Sequence, residues 1–191
     1  MKSRPVRLFI IGQILLYGGL LVCAVLDPYG VVGSNRGISY YGVHWDTIIP
    51  YLIALWGSAI FGGLAALKLG KFQYAYRMRY GMLLFAFLTI GVAVTPYKLL
   101  YLLHTGFGSL LFALQLSLTG WFTFWPVKDW RSITLWSLEL LAGLISAWYL
   151  IEPSGYLFLS QLAFQICFGG LLTYLLIRLE ALADKPSAKP A

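Results

Sequence analysis

Long apolar stretches separated by short polar connections make up most of the chain. Six can be delimited, at about residues 8–26, 48–67, 80–96, 99–122, 133–151 and 156–179. All but the third reach the roughly 19 residues with which an α-helix crosses the hydrocarbon core of a bilayer. The third ends in a tight turn at Pro96, which predicts that it and the fourth are close antiparallel neighbours. The pattern predicts an all-α, polytopic membrane protein whose 191 residues form a single domain of six transmembrane helices.

Composition supports the membrane class and argues against a nucleic-acid-binding protein and a disulfide- or zinc-stabilised domain. Hydrophobic residues make up 60% of the chain and charged residues 11%, which is far from the average of soluble domains. The net charge of +7 comes from short basic clusters between apolar stretches, so no nucleic-acid partner is expected and membrane lipids are the predicted partners. Cys23 and Cys167 lie inside apolar stretches and form neither a disulfide framework nor a zinc motif. No cofactor and no metal are predicted.

Basic residues predict the orientation of the chain. The first apolar stretch is too long for a signal peptide and lacks a small-residue cleavage site, so it counts as a span. With six spans, both termini and the second and fourth connections share one side, which holds all but two of the 14 Lys and Arg residues. The two exceptions are Arg36 and Lys98. We therefore predict cytoplasmic termini, a plasma-membrane location and a disordered tail over residues 184–191.

The first outward connection, residues 33–46, is the longest polar interruption between the first two spans. It carries three glycines that allow sharp turns and three aromatic rings suited to the headgroup layer. Its side chains with chemical potential are Ser39, His44 and Asp46. We expect this segment to be a structured loop lying on the outer face of the bundle.

Polar side chains inside the spans are costly and so point to function or to interhelical hydrogen bonds. Counting about 1.5 Å per residue from the span ends places them in two layers. The outer layer contains His104, Gln161 and Gln165, and the inner layer contains Gln13, Gln115 and Glu139. Gln161 and Gln165 share one helix face because they are four residues apart. His104 is expected to join the loop to the bundle, with Ser39, Asp46, Gln161 and Gln165 as its candidate partners.

Glu139 is the one acid well inside a span, where a charge costs about 2.5–3.5 kcal/mol on insertion scales. It should be protonated or hydrogen-bonded, with Gln13 and Gln115 as candidate partners. A structural polar cluster and a proton-relay site both remain open.

Three segments together resemble a known family. Residues 35–42 read Asn-Arg-Gly-Ile-Ser-Tyr-Tyr-Gly, a small-residue run follows at 55–64, and span four opens at residues 104–112 with His-Thr-Gly-Phe-Gly-Ser-Leu-Leu-Phe. This is similar to the six-span Frag/DRAM/Sfk group and its bacterial and archaeal relatives. These carry an Ile-Ser-x-x-Gly-like element in the first outer loop and a His element in span four. The matching positions are Ile38, Ser39, Gly42 and His104. The acid usual in the loop element is replaced here by tyrosines.

The resemblance implies a role connected with membrane lipids, since eukaryotic members are linked to lipid-anchor remodelling, lipid distribution and autophagy. The resulting hypothesis is a non-catalytic protein that binds, senses or organises lipids. Its predicted outer-face site comprises Ser39, His44, Asp46, His104, Gln161 and Gln165. One alternative is an intramembrane metal-dependent hydrolase using His44, Asp46 and His104. Another is a small transporter in which Glu139 is the proton-coupled group.

Overall fold

The computed structural model describes residues 4–70, 74–152 and 155–183, so the tail at 184–191 lies outside the described residues. Within these ranges the regular structure is entirely helical. The α-helices are α1 (Arg4–Leu26), α2 (Tyr29–Val32), α3 (Ile48–Leu67), α4 (Ala75–Val94), α5 (Tyr101–Phe122), α6 (Trp130–Ile151) and α7 (Leu157–Ala183). A 3₁₀ helix covers Gly37–Val43, and a π-helical turn covers Thr123–Val127. Every α-helix but α2 is long and apolar enough to cross a membrane, which confirms the all-α prediction and the number of candidate spans.

The helices extend beyond several predicted span ends. Helix α4 begins at Ala75 rather than near residue 80, α6 begins at Trp130 rather than at residue 133, and α7 continues to Ala183. Apolar stretches mark only the part of a helix that suits hydrocarbon, whereas the helix itself can continue into the polar interface. The third predicted span therefore looked short because its first turn carries Arg77 and Arg79.

Small residues allow the first two long helices to pack closely. A Cβ atom added at Gly19 of α1 would lie 2.7 Å from both the Pro50 carbonyl oxygen and the Ala54 Cβ of α3. Only glycine permits backbones to approach this closely. Large apolar side chains such as Ile14, Leu21 and Val25 remain exposed on the outside of α1, as lipid-facing side chains would be.

The six long helices alternate in direction, so the bundle has two ends. The loop end is where α1, α4 and α6 finish and α3, α5 and α7 start, and the termini end is the opposite one. At the loop end, a buried cluster includes Leu20, Cys23, Tyr51 and Phe158 together with Tyr41 of the 3₁₀ helix. A larger cluster, built on residues such as Phe9, Phe122 and Phe168, includes side chains nearer the termini end.

Asp129 organises the termini end. Its carboxylate accepts a hydrogen bond from the Ser132 backbone N–H at 2.8 Å and thereby caps α6. It also accepts from the Tyr174 hydroxyl at 2.7 Å and pairs with Arg178 at 3.2 Å. Desolvation opposes the ionised form, but the hydrogen bonds from Ser132 and Tyr174 and the charge of Arg178 together lower the pKa of Asp129. One acid thus ties the start of α6 to the last turns of α7.

Candidate functional site

The segment between α1 and α3 is folded onto the loop end of the bundle, as predicted. Tyr41 is fully buried and meets Phe158 of α7 edge-on, with ring centroids 5.4 Å apart. The Ile38 backbone N–H donates to Gln161 Oε1 at 2.8 Å. Gly37 has a φ of +58° and leaves no room for a side chain beside Gln161, so glycine is required there.

His104 connects this segment to helices α4 and α5. Its Nδ1 lies 2.6 Å from the Thr95 carbonyl oxygen, and its Nε2 lies 2.7 Å from Ser39 Oγ. A carbonyl oxygen can only accept, so Nδ1 carries the proton and donates to Thr95, while in the neutral ring Nε2 accepts from the Ser39 hydroxyl. The predicted link between His104 and the loop is therefore present, with Ser39 as the partner and not Asp46.

A cleft opens beside the Ser39–His104 pair. It is a shallow, open groove that encloses no space large enough for a water molecule. Its lining comprises Ser39, Gly42, Val43, Tyr51, Val92, Ala93, Pro96, Tyr97 and His104. Most of these residues are apolar or aromatic in type, but polar atoms make up the larger part of the small surface that they expose to the groove.

Arg36 lies near the cleft and was not among the predicted site residues. Its guanidinium carbon is 5.2 Å from the centroid of the Tyr97 ring, which in turn lies 6.3 Å from the ring of His104. Among the described residues, the only ion pair within 4.0 Å joins Arg178 to Asp129, so no carboxylate neutralises Arg36. Its donors are available to an anion from outside the chain. Arg36 could have been singled out in the sequence, because it is one of only two basic residues predicted to lie on the side opposite the termini.

Neither His44 nor Asp46 takes part in the hydrogen bond between Ser39 and His104. The His44 Nδ1–H donates to the Tyr40 carbonyl oxygen at 2.7 Å, and its ring stacks on Tyr40 with centroids 4.0 Å apart. Asp46 is exposed. Within the described ranges, no group of three or more His, Cys, Asp or Glu side chains is placed to hold a metal. The 3₁₀ helix directs His44 back onto its own segment, which sequence proximity could not show.

Asp27 anchors the same segment and was missed in the sequence because it lies at the end of an apolar stretch. The Tyr40 hydroxyl donates to Asp27 Oδ2 at 2.9 Å, and the Tyr41 hydroxyl donates to the Asp27 carbonyl oxygen at 3.3 Å. Burial and the Asp27 carboxylate raise the pKa of Tyr40 to about 12. Tyr40 therefore remains a neutral donor at physiological pH.

Further from the loop, glutamines join three helices. Gln115 of α5 and Gln165 of α7 exchange two amide hydrogen bonds, at 2.9 and 3.3 Å. The Tyr17 hydroxyl of α1 lies 2.8 Å from both Gln13 Oε1 and the Gln165 carbonyl oxygen, so its one hydrogen serves two acceptors. The predicted separation into two layers is wrong for Gln165, which pairs with an inner-layer residue. Of these two glutamines of α7, Gln161 is the one that reaches the loop, where it accepts from the Ile38 backbone N–H.

Glu139 of α6 is fully buried, and neither of its carboxylate oxygens has a hydrogen-bond partner among the described residues. Thr119 lies beside it but its hydroxyl donates to the Gln115 carbonyl oxygen at 2.8 Å. The expectation that Gln13 or Gln115 would pair with Glu139 is wrong. Gln115 is paired with Gln165, and Gln13 faces Tyr17.

Comparisons of the chain with protein-family models, with curated proteins and with solved structures give no match.

The Ser39–His104 contact predicts coupled stabilities. Ser39→Ala and His104→Ala should each lower the free energy of unfolding, by about 1–3 kcal/mol, because each leaves a polar group unsatisfied. The double variant should cost little more than either single change. Thermal unfolding in detergent measures all three, with the exposed Asp46→Ala as a near-neutral control. Strictly additive losses would show that the two side chains do not interact.

Glu139→Gln should leave the unfolding temperature in detergent unchanged or raise it. A carboxyl group without partners gains nothing from its charge in an apolar interior, and the amide conserves its shape. Thr119→Val is a matched control, because it removes the neighbouring hydroxyl without touching the acid. A marked loss of stability in Glu139→Gln alone would reveal a cation or donor that depends on the carboxylate.

Proposed function

We propose that this multi-pass membrane protein binds phospholipids at the outer face of the cell membrane, in the cleft beside Ser39 and His104. The observation that carries the proposal is the position of this polar dyad in a groove at the loop end of the bundle, beside valine, alanine, proline and tyrosine side chains. His104 lies in the first turn of α5, about 5 Å along the helix from its start at Tyr101. In a bilayer crossed by α5, that depth would lie near the boundary between headgroups and hydrocarbon, where a lipid presents polar and apolar groups together.

Arg36 supplies the second element of recognition. A guanidinium group without a carboxylate partner, held over an aromatic ring, offers several N–H donors to the oxygens of a phosphate. The valine, alanine and proline side chains along the groove offer surface contacts to the first methylene groups of an acyl chain. The resemblance of Ser39 and His104 to positions in a lipid-associated family favours the same role.

The distribution of charge supports an outward-facing cleft. At the loop end, the described basic residues are Arg36 and Lys98, against the acids Asp27, Asp46 and Glu152. At the termini end, the described basic residues are Arg4, Arg7, Lys68, Arg77, Arg79, Lys128, Arg131 and Arg178, and the described acids are Asp129 and Glu180. Positive charge is retained on the cytoplasmic side of a membrane, so the termini end faces inward.

The orientation can be tested with single cysteines. In a variant carrying Cys23→Ala and Cys167→Ala, a cysteine is introduced either at exposed Asn35 or at exposed Gly70. An impermeant thiol reagent applied to intact cells should label Asn35→Cys only, and permeabilisation should make Gly70→Cys reactive as well. Labelling of Gly70→Cys in intact cells would mean that the cleft faces the cytoplasm.

The binding proposal predicts that phosphate recognition depends on Arg36. Native mass spectrometry of the purified protein, titrated with phosphatidylglycerol or with diacylglycerol, should show preferential retention of the phospholipid. Arg36→Gln should weaken that retention roughly tenfold, which corresponds to losing a charge-assisted hydrogen bond. Lys98→Gln removes the other basic side chain at the same end and should have little effect. Equal retention of both lipids by the unmodified protein would rule the proposal out.

A further inference from the structure

We infer that Ser39 is a nucleophile activated by His104, and that the cleft cleaves acyl esters of the phospholipids it binds. The inference rests on the proposed function, because the cleft must first hold a lipid. It goes beyond binding in assigning a reaction to the Ser39–His104 pair.

The geometry meets the requirements for an activated serine. A serine nucleophile needs a base within about 2.6–3.2 Å, and the base needs a third group that orients it. Ser39 Oγ lies 2.7 Å from His104 Nε2, and the Thr95 carbonyl oxygen lies 2.6 Å from His104 Nδ1. Both ring nitrogens are therefore fixed, with the unprotonated nitrogen directed at the hydroxyl. Thr95 acts as a positioning residue through its backbone.

Backbone geometry explains why Thr95 can orient the ring. The residue is the C-cap of α4, with φ −110° and ψ 82°, and so has left the helical conformation. Carbonyl groups at the C-terminal end of a helix lack intrahelical partners. The Thr95 carbonyl is thus free to accept from His104, and an imidazolium formed during reaction would keep that acceptor.

Other serines in the bundle do not share this environment. Ser160, in the first turn of α7, donates its hydroxyl to the Leu157 carbonyl oxygen of its own helix at 2.9 Å. Ser146 does the same to Ala142 at 3.0 Å. Such hydroxyls satisfy their own helix and have no base beside them. Ser39 is also half-buried rather than enclosed, and it lines the cleft directly.

The reaction is acyl transfer to serine followed by hydrolysis. Ser39 Oγ attacks the ester carbonyl carbon as its proton passes to His104 Nε2. The C–O bond to the glycerol oxygen then breaks, and the lysophospholipid leaves as an alcohol with the proton from Nε2. Water attacks the acyl-serine ester, giving up a proton to Nε2, and Ser39 leaves with that proton as the fatty acid is released. No metal or redox partner is needed.

The test uses the full-length protein in nanodiscs containing phosphatidylglycerol. A fluorophosphonate probe should form a covalent adduct that peptide mass spectrometry locates on Ser39. Fatty acid should be released from acyl-labelled phosphatidylglycerol at a measurable rate. His104→Gln should slow both reactions about 100-fold or more, as expected for loss of a general base. Ser39→Ala should abolish both, whereas Ser160→Ala should retain them.

Adduct mapping uses the unmodified protein and does not depend on whether a variant folds, so it is the first test of this inference. Absence of an adduct on Ser39 in protein that still retains phosphatidylglycerol would overturn this inference and leave the binding proposal intact. Failure to retain phosphatidylglycerol would instead refute the binding proposal. Labelling of Ser39 at an unchanged rate in folded His104→Gln would contradict activation by the histidine.

Discussion

The burial of Tyr41 among the helices at the loop end fixes the geometry of the site. A loop beside a membrane bundle must cover its backbone polar groups or keep them in water, because an unsatisfied group in an apolar setting costs several kcal/mol. Here the ring of Tyr41 enters the helical core, and its hydroxyl remains bonded to the Asp27 carbonyl oxygen. With that ring in place, the preceding turn of 3₁₀ helix brings Ser39 to His104 and Ile38 to Gln161.

A polar site of this kind combines rigidity with access to the interface. His104 is held by two short hydrogen bonds, one to the carbonyl of the C-cap residue of α4 and one to a side chain of the 3₁₀ helix. The cleft therefore lies between the end of α4 and the 3₁₀ helix, and these two parts of the chain are fixed by different contacts. Deeper in the bundle, the Gln115–Gln165 pair ties α5 to α7. Helix α5, which carries His104, is thus linked to α7 on the side of the site nearer the termini end.

The sequence was sufficient for the helices, the packed loop and the link from the loop to His104. Hydrophobic length and turn residues determine these features locally. The sequence was insufficient to predict which groups form hydrogen bonds with each polar side chain. Depth counted from the end of a span assumes that all spans begin at the same level, which is why Gln165 was grouped with His104 and not with Gln115. Backbone acceptors such as the Thr95 carbonyl carry no signature in the sequence. The direction of His44 depended on a 3₁₀ helix that polar and glycine content alone did not specify.

The contact between Ile38 and Gln161 joins residues 123 positions apart, and it has a consequence for biogenesis. A chain emerging from the ribosome has synthesised the segment between α1 and α3 long before the last helix exists. Until α7 has been inserted and packed, that segment lacks both the Gln161 acceptor and the Phe158 ring on which Tyr41 rests. His104 is also synthesised well after Ser39. A chain interrupted before α7 would therefore lack the contacts that hold this segment against the helices.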